Sequence, residues 1–591
     1  MSDYQPPLND LSFVLEHIVG YDEIAALPGY GHADLETVRD LLAAASEFIV
    51  EKVAPLDRAG DVEGARWNPD YSVTTPKGYQ EAYDAYRAGG WTGLQFPDEF
   101  GGGGFPAVAG LALQEILTSA SIAFSLAPLL TQGAVDALLH YGSDEQKATY
   151  LPHMVAGDWT GTMNLTEPHA GSDVGALTTK AVPNGDGTFA ITGQKIFISY
   201  GEHDLTQQKV HLVLARTPGA PEGTAGISIF IVPKYLVNPD GSLGEANSLK
   251  CLSVEHKLGL HGSPTCVMSY ERATGYLIGQ ENKGMRIMFV MMNNARLSVG
   301  LEGLAVASRA YQKSLAYAQE RIQGTAVGGT EPVAIIEHPD VRRMLLTQRA
   351  QLDALRALIL LNAGHGDRAK RHPDAAVRQR EDEIVGLLTP ICKAFGTDLG
   401  VELSSTALQV FGGAGFIEET GIAQQYRDAR ILPIYEGTNG IQAADLVGRK
   451  LGIRQGQSAL EYLEEIGAID GTLEAAGEGF AAIRSGLAAN LGALKKATGW
   501  LLQTSAGGDF DSALAGSAPY LRMWGLVLSA WLLAREALVA KDLGDAEFAE
   551  TKLVLARFHA EQLLPAAGAL LGAVTRGRGD LYTLSPAQLA G

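Results

Sequence analysis

Cysteine is scarce in this sequence: Cys251, Cys266 and Cys392 are the only three in 591 residues. No two stand at metal-ligand spacing, and three cannot all pair. That argues against a disulfide framework or a cysteine-held metal, and for a reducing compartment. Positive charge is also short, with 46 Lys and Arg against 67 Asp and Glu and a formal net charge of −21. A nucleic-acid scaffold needs a basic footprint, so that class is excluded. Any polyanionic ligand must find a local basic pocket against the field of the whole chain. Long hydrophobic runs are missing too. The most apolar late segment, Met523 to Ala534, falls short of the roughly 20 residues that span a bilayer. The opening Met1-Ser2-Asp3-Tyr4 lacks the basic and apolar stretches of a secretory signal. A cytoplasmic protein without a membrane span is expected.

What is present is an ordinary globular composition, 46% hydrophobic and 19% charged, in a chain long enough for about three to four domains. Up to residue 158 the texture is helical. Asp34 is placed to cap a helix carrying Val38, Leu41, Leu42 and Ile49 on one face. Gly101 to Gly104 reads as a hinge or turn, because it lacks the strand-turn-helix context of a dinucleotide loop. From 159 the pattern changes. Asn184-Gly185-Asp186-Gly187 signals a turn before Thr188 to Ile191, and Gly193 leads into Lys195 to Tyr200. Val210 to Ala215, Ile227 to Val232 and Cys266 to Tyr270 are further short β-branched runs. From Arg296 the period is helical again through Leu297, Leu301, Leu304, Tyr311, Leu315 and Ala318. Asp340 is expected to cap the next helix, with Val341, Leu345, Leu352, Leu355 and Ile359. The sequence therefore predicts an α+β protein: an N-terminal helical domain (1–158), a central β domain (159–285), a helical bundle (286–455) and an Ala/Leu-rich helical extension (456–591).

Three stretches carry chemistry. Met163 to Gly175 contains Pro168 followed by the small residues Ala170, Gly171 and Ser172, and such a loop lets backbone N–H groups approach an anion or a flat ring. Leu432 to Gln442 places Glu436 between apolar Ile434 and a Gly437-Thr438 turn. An apolar setting raises a carboxylate's pKa, as a general base requires. Gln409 to Phe416 ends a helical stretch in Gly412, Gly413 and Gly415. Each also has an ordinary reading, respectively an interdomain turn, a solvated loop glutamate and a helix C-cap.

Taken together, in this order and at this spacing, the motifs resemble the acyl-CoA dehydrogenase family. Thr166-Glu167-Pro168 with Ala170 to Val174 is similar to that family's flavin and substrate loop, and Gly193 to Ser199 to its flavin-covering strand. Gln409 to Gly413, Tyr426-Arg427-Asp428-Ala429 and Tyr435 to Thr438 then follow as the family's motifs do. The resemblance covers about residues 37–455. It implies a fold of an α-helical domain, a β domain and a four-helix bundle, here with an extra C-terminal helical domain, and FAD as cofactor. It implies Met163, Leu165, Thr166, Gly171 and Ser172 as flavin contacts, Ser172 also facing the CoA chain. Phe197 stands where the family usually has a tryptophan over the flavin ring, and Ser199 where it has a threonine, with Ile198 between them. Arg321, Gln409, Gly412 and Gly413 resemble residues that reach the flavin of a neighbouring subunit, which implies at least a homodimer. His338 and Thr438 match flavin-side positions, although Pro339 and Gly440 depart from the pattern.

On the substrate side, Arg296 aligns with a CoA-proximal arginine, Asn293 replaces a common aspartate, and Gly437 adjoins the base. Glu436 is implied as that base, withdrawing the α-proton of an acyl-CoA. Some relatives carry the base just before the arginine that aligns with Arg296. Here that residue is Ala295, which cannot take a proton. The resemblance implies that electrons then pass to an electron-transferring flavoprotein. The Glu436 to Ala443 run and both chain extensions are most like the 3-methylmercaptopropionyl-CoA dehydrogenase branch. The alternatives are a long-chain acyl-CoA dehydrogenase of fatty-acid β-oxidation and an acyl-CoA oxidase using O₂.

Overall fold

The computed structural model describes residues 4–590, apart from the side chains of Asn293 and Asn294. The expectation on Asn293 therefore lies outside the described residues. The chain divides into two units. The first holds Tyr4, residues 44–105 and residues 116–298. The second holds residues 5–43, residues 106–115 and the chain from Val299 onward. The helical N-terminal stretch is thus shared between the two. As expected, Asp34 caps its helix, Leu35–Phe48, by accepting from Thr37 N–H at 2.8 Å.

The first unit is built on a seven-stranded sheet: β1 Trp159–Asn164, β2 Lys180–Pro183, β3 Phe189–Ser199, β4 Gln208–Ala215, β5 Ser228–Pro233, β6 Leu249–Val254 and β7 Thr265–Leu277. The strand order is β1-β4-β5-β7-β3-β2, with β6 also on β7. Every residue of β1, β4 and β5 is buried. Burial on both faces explains the near-continuous apolar run of β5, whereas β1 and β4 also bury polar side chains such as Thr162 and His211, which lie 2.8 Å apart in hydrogen-bond contact. Helix α1, Ile122–Tyr141, packs on β1. Gly161 permits this, since a Cβ there would meet the Ala134 methyl at 2.5 Å.

The bundle of the second unit rests on three long helices: α2 Gly284–Glu320, from Val299 onward, α3 Pro339–Arg371 and α4 Ala375–Val410. Asp340 does not cap α3. Pro339 takes the first helical position, where a missing N–H costs nothing, so His338 becomes the N-cap residue and Asp340 falls inside the first turn. Helices α2 and α4 touch backbone to backbone. A Cβ on Gly300 would lie 2.6 Å from Cys392 O, and one on Gly303 2.2 Å from Gly396 O. After α4 the chain doubles back through Ile422–Ala429 and Asn439–Asp445.

The extension adds α5 Ala481–Ala506, α6 Ser517–Asp542 and α7 Ala546–Phe558. Buried Lys552 of α7 donates to Glu536 of α6 at 2.7 Å and to Asp353 of α3 at 2.9 Å. The apolar run Met523 to Ala534 is part of a helix longer than the run itself, the 26-residue α6. With α1 and α4 it is one of three helices among the described residues long and apolar enough to cross a membrane. Their apolar windows are 83%, 78% and 78% buried inside the protein, respectively.

Candidate active site

In the first unit the loop after β1 is tied to β3 by a buried charge. Glu167 is 2% exposed and Lys195 fully buried. Lys195 Nζ donates to Glu167 Oε1 at 2.8 Å and to Leu165 O at 2.9 Å. Thr178 and Thr179 each add a backbone N–H and a hydroxyl to the same carboxylate. Burial pushes the carboxyl up, but Lys195 and the threonine donors outweigh it and hold Glu167 at about 2. Burial also lowers Lys195, to about 8, against the pull of Glu167. Ile196 N–H donates to Thr166 O at 2.9 Å, so loop and strand run side by side. This brings Leu165, Thr166 and the strand end Phe197 to Ser199 together.

A β-bulge places Phe197. Between Cys266↔Ile198 and Met268↔Lys195, β7 advances two residues and β3 three. The extra residue falls at Ile196-Phe197, and Phe197 sits at φ 60°. Phe197 is 59% exposed while the next residue, Ile198, is buried. An exposed aromatic on a strained backbone is a surface offered to a ligand. Next to it, Leu165, Thr166 and Ser199 are half-buried, Met163 is buried, and Gly171 and Ser172 are exposed. A Cβ at Gly171 would meet nothing within 4 Å. An aromatic face beside an open loop of small residues fits a flat, polar-edged ring such as a flavin.

In the second unit Glu436 is half-buried at φ 54°, followed by Gly437 at φ 84°. A left-handed glutamate costs about 1–2 kcal/mol, so its surroundings must impose it. They do so from two helices. Lys393 of α4 donates to Leu432 O at 2.9 Å, Gly437 O at 2.8 Å and Asn439 Oδ1 at 2.9 Å. From α2, fully buried Glu302 accepts a hydrogen bond from the Tyr435 hydroxyl. Asn439 in turn donates to Asp398 Oδ1 at 2.7 Å. Thr438 caps the next helix by accepting from Ile441 N–H at 3.2 Å. Burial raises the Glu302 carboxyl to about 8. The Tyr435 bond opposes this, the charge of Glu436 adds to it, and Lys393 opposes it.

The residues expected to face a neighbouring subunit form a second cluster in this unit. Arg321 donates to Gln323 Oε1 at 3.1 Å, and His338 Nε2 lies 2.7 Å from Gln323 O. Tyr317 stacks on Phe411 with ring centroids 4.1 Å apart. The end of α2 therefore lies against the end of α4, where Gln409, Gly412 and Gly413 are exposed. Nearby Phe416 and Ile417 are exposed large apolar residues. Lys393, which holds the Glu436 turn, and Gln409 are sixteen residues apart on α4, or about 24 Å at 1.5 Å per residue. The two clusters are separate. Arg296 belongs to the first unit, where it is 4% exposed with its guanidinium 5.9 Å from the Phe289 ring centroid.

Glu167, Lys195, Lys393 and Glu302 had no role assigned from sequence. A signal existed for Lys195 and Lys393: each is a lone lysine inside an apolar run, Ile196-Phe197-Ile198 following one and Ile391-Cys392 preceding the other. A charge there must find partners.

Family models match most of the chain. Acyl-CoA dehydrogenase, N-terminal domain, covers residues 36–158, the middle domain 162–273 and the C-terminal domain 282–451. A model described as acetyl-CoA dehydrogenase C-terminal like covers residues 465–585. The 3-methylmercaptopropionyl-CoA dehydrogenase of Ruegeria pomeroyi is 47% identical, over 98% of this chain and 100% of that protein. A broad-specificity linear acyl-CoA dehydrogenase of Mycobacterium tuberculosis, FadE5, is 35% identical over 96% of both. Among solved structures, an acyl-CoA dehydrogenase of Bacillus anthracis complexed with FAD superposes with a TM-score of 0.75, at 21% identity. That match covers 95% of this chain and 91% of the other.

Proposed function

The chain belongs to the acyl-CoA dehydrogenase family and is an FAD-dependent acyl-CoA dehydrogenase, and on that premise we propose that Glu436 is its base. The observation that supports this most is the clamped turn. A carboxylate is held at φ 54° by a buried lysine and by the bond of half-buried Tyr435 to buried Glu302, a degree of constraint an idle loop glutamate does not need. FAD, when bound, supplies the hydride acceptor for the β-hydrogen. Met163, Leu165, Thr166, Gly171, Ser172, Phe197, Ile198, Ser199 and Thr438 are the residues we assign to hold it. Glu436 takes the α-proton, and its backbone N–H donates to the thioester carbonyl as negative charge develops there. Ala295 offers no second base. The test is Glu436→Gln, which keeps size and binding but cannot accept the proton. General-base removal costs about 10²–10⁴-fold. If stopped-flow flavin reduction by substrate stays within about tenfold of wild type, Glu436 is not the base.

For the substrate we propose 3-methylmercaptopropionyl-CoA, because the relative of that name is 47% identical and aligned end to end. Gly437, Ser172, Asn293 and Arg296 are assigned to its side of the site. Steady-state comparison against straight-chain acyl-CoA thioesters tests it, and a preference for long chains would favour fatty-acid β-oxidation. An electron-transferring flavoprotein is the proposed acceptor, and fast reoxidation of the reduced enzyme by air would replace it with O₂. We also propose a cytoplasmic homo-oligomer, at least a dimer. The roughly 24 Å between the Glu436 anchor and Gln409 on one helix supports Arg321, Gln409, Gly412 and Gly413 serving a second copy's flavin, and His338 is assigned a flavin-side position.

A further inference from the structure

Glu302 is a fully buried carboxyl group at the crossing of α2 and α4. It stands between Gly300 and Gly303, the two glycines through which α2 meets the backbone of α4 at Cys392 and Gly396. That contact leaves α2 no room to slide, so the position of Glu302 is set by main chain against main chain. Its neighbours are the Tyr435 hydroxyl, which donates to Oε2, Glu436 and Lys393, whose charges both act on it. Among the described residues, Oε1 has no hydrogen-bond partner. The same crossing carries Lys393, one residue beyond Cys392, with its three bonds to the turn. The turn bearing Glu436 is therefore held at its far side by Lys393 and, at the residue just before the base, by the Tyr435 side-chain bond to Glu302 together with a backbone bond from Tyr435 N–H to Ile431 O at 3.2 Å.

We propose that Glu302 is a positioning residue for the dehydrogenation: by holding the Tyr435 hydroxyl it fixes the strained turn that aims Glu436 at the α-carbon. The proposal rests on the reading of Glu436 as base. Tyr435 and Glu436 are adjacent, so a swing of the phenol is transmitted directly into φ of Glu436. That φ is in the left-handed region, which relaxes once it is no longer imposed. Glutamine at 302 would still accept from the Tyr435 hydroxyl and fill the same volume, whereas alanine would not. The carboxyl's role here is geometric, and its charge is dispensable.

The test uses the FAD-loaded enzyme and single-turnover flavin reduction, with whichever of 3-methylmercaptopropionyl-, butyryl- and octanoyl-CoA reacts fastest. Tyr435→Phe and Glu302→Ala should each slow reduction by about ten- to a hundredfold, the penalty of a small misplacement of the reacting group. Substrate dissociation constants should stay within about threefold. The double variant should be no slower than the slower single, because both remove one tether. Glu302→Gln should return the rate to within about threefold of wild type. Wild-type rates in both single variants, losses that multiply, or a Glu302→Gln enzyme as slow as Glu302→Ala would each overturn the proposal. If Glu302→Ala does not fold, Tyr435→Phe, which removes one oxygen, decides alone. Failure of the base reading looks different: Glu436→Gln itself would then reduce its flavin at the normal rate.

Discussion

Replacing Lys393 by methionine keeps the length of the side chain and removes the ammonium that anchors the catalytic turn. The three donations, at 2.8–2.9 Å, each contribute about 1.5–3 kcal/mol net as hydrogen bonds from a charged donor. Their sum, even discounted by half for non-additivity, exceeds the about 1–2 kcal/mol that the left-handed backbone of Glu436 costs. That inequality is why the turn holds its shape. Without the ammonium, Leu432 O and Gly437 O lose an interior partner. Asn439 keeps its bonds to Thr397, Asp398 and Ala394, so the next helix stays anchored while the turn before it loosens. The expected result is a folded, yellow enzyme whose thermal midpoint drops and whose flavin reduction is slowed at least tenfold, with substrate affinity little changed. Arginine at this position should not restore the rate, since a planar fork cannot address three acceptors around one point. Stopped-flow absorbance on the FAD-loaded variant measures the step directly. Reduction within about threefold of wild type would refute the idea that the lysine imposes the geometry.

Lys195→Met should leave Glu167 buried without its cation, which costs about 3–5 kcal/mol for a broken buried pair and should speed FAD release, seen as rising flavin fluorescence. Unchanged stability and FAD affinity would mean that Thr178 and Thr179 suffice. The low carboxyl value of Glu167, about 2 against an ordinary 4.5, makes its contribution complete above pH 4.5 and lost as pH falls toward 2. Glu302 has the opposite sign. Held at about 8 against 4.5, with Tyr435, Glu436 and Lys393 facing it, it keeps a proton that the unfolded chain has released. Stability from this group therefore declines by about 1.4 kcal/mol per pH unit between those values. The thermal midpoint of Glu302→Gln should gain on wild type from pH 5 to pH 8, and parallel curves would show Glu302 ionised throughout. Light scattering should find a dimer or larger, and a fully active monomer would contradict the role given to Arg321 and Gln409.

What was legible in the sequence is what is local in the chain. The Glu436 turn, the loop after β1 and the Phe197 strand are each contiguous, and Asp34 caps the helix immediately after it. What was not legible depends on partners far away. Lys195 meets Glu167 across 28 residues and Tyr435 meets Glu302 across 133, and no local pattern announces either pairing. The strain at Phe197 follows from a bulge against β7, which one strand's sequence does not reveal. Asp340 misled because an acid near a helix start reads as a cap, whereas Pro339 at the first helical position moves the cap two residues back, to His338. The run Met523 to Ala534 reads as short because Arg522 and Arg535 bound it. Both side chains find acceptors, Arg522 at Glu402 and Arg535 at Ile18 O, so the helix continues past them.

The Lys552 contact bears on how such a protein can be recombined. Its ammonium lies between Asp353 of the bundle and Glu536 of the extension, with Asp10 of the N-terminal stretch 4.0 Å away. Asp353 and Glu536 are each at most 1% exposed at the side chain. A chain shortened after the bundle would expose the apolar face that α6 covers. It would also strip Asp353 of one of its cations, leaving Arg349 at 3.0 Å as the near one. A graft of another relative's extension would meet the same requirement, because a tail without a matching lysine leaves buried Asp353 to its arginines, at 3.0 and 3.7 Å, without the cation that bonds its other oxygen. The extension is therefore not an interchangeable module. Chimeras that exchange residues 456–591 should fold only when the donor tail brings its own cation to Asp353, or when Asp353 is made neutral in the same chain.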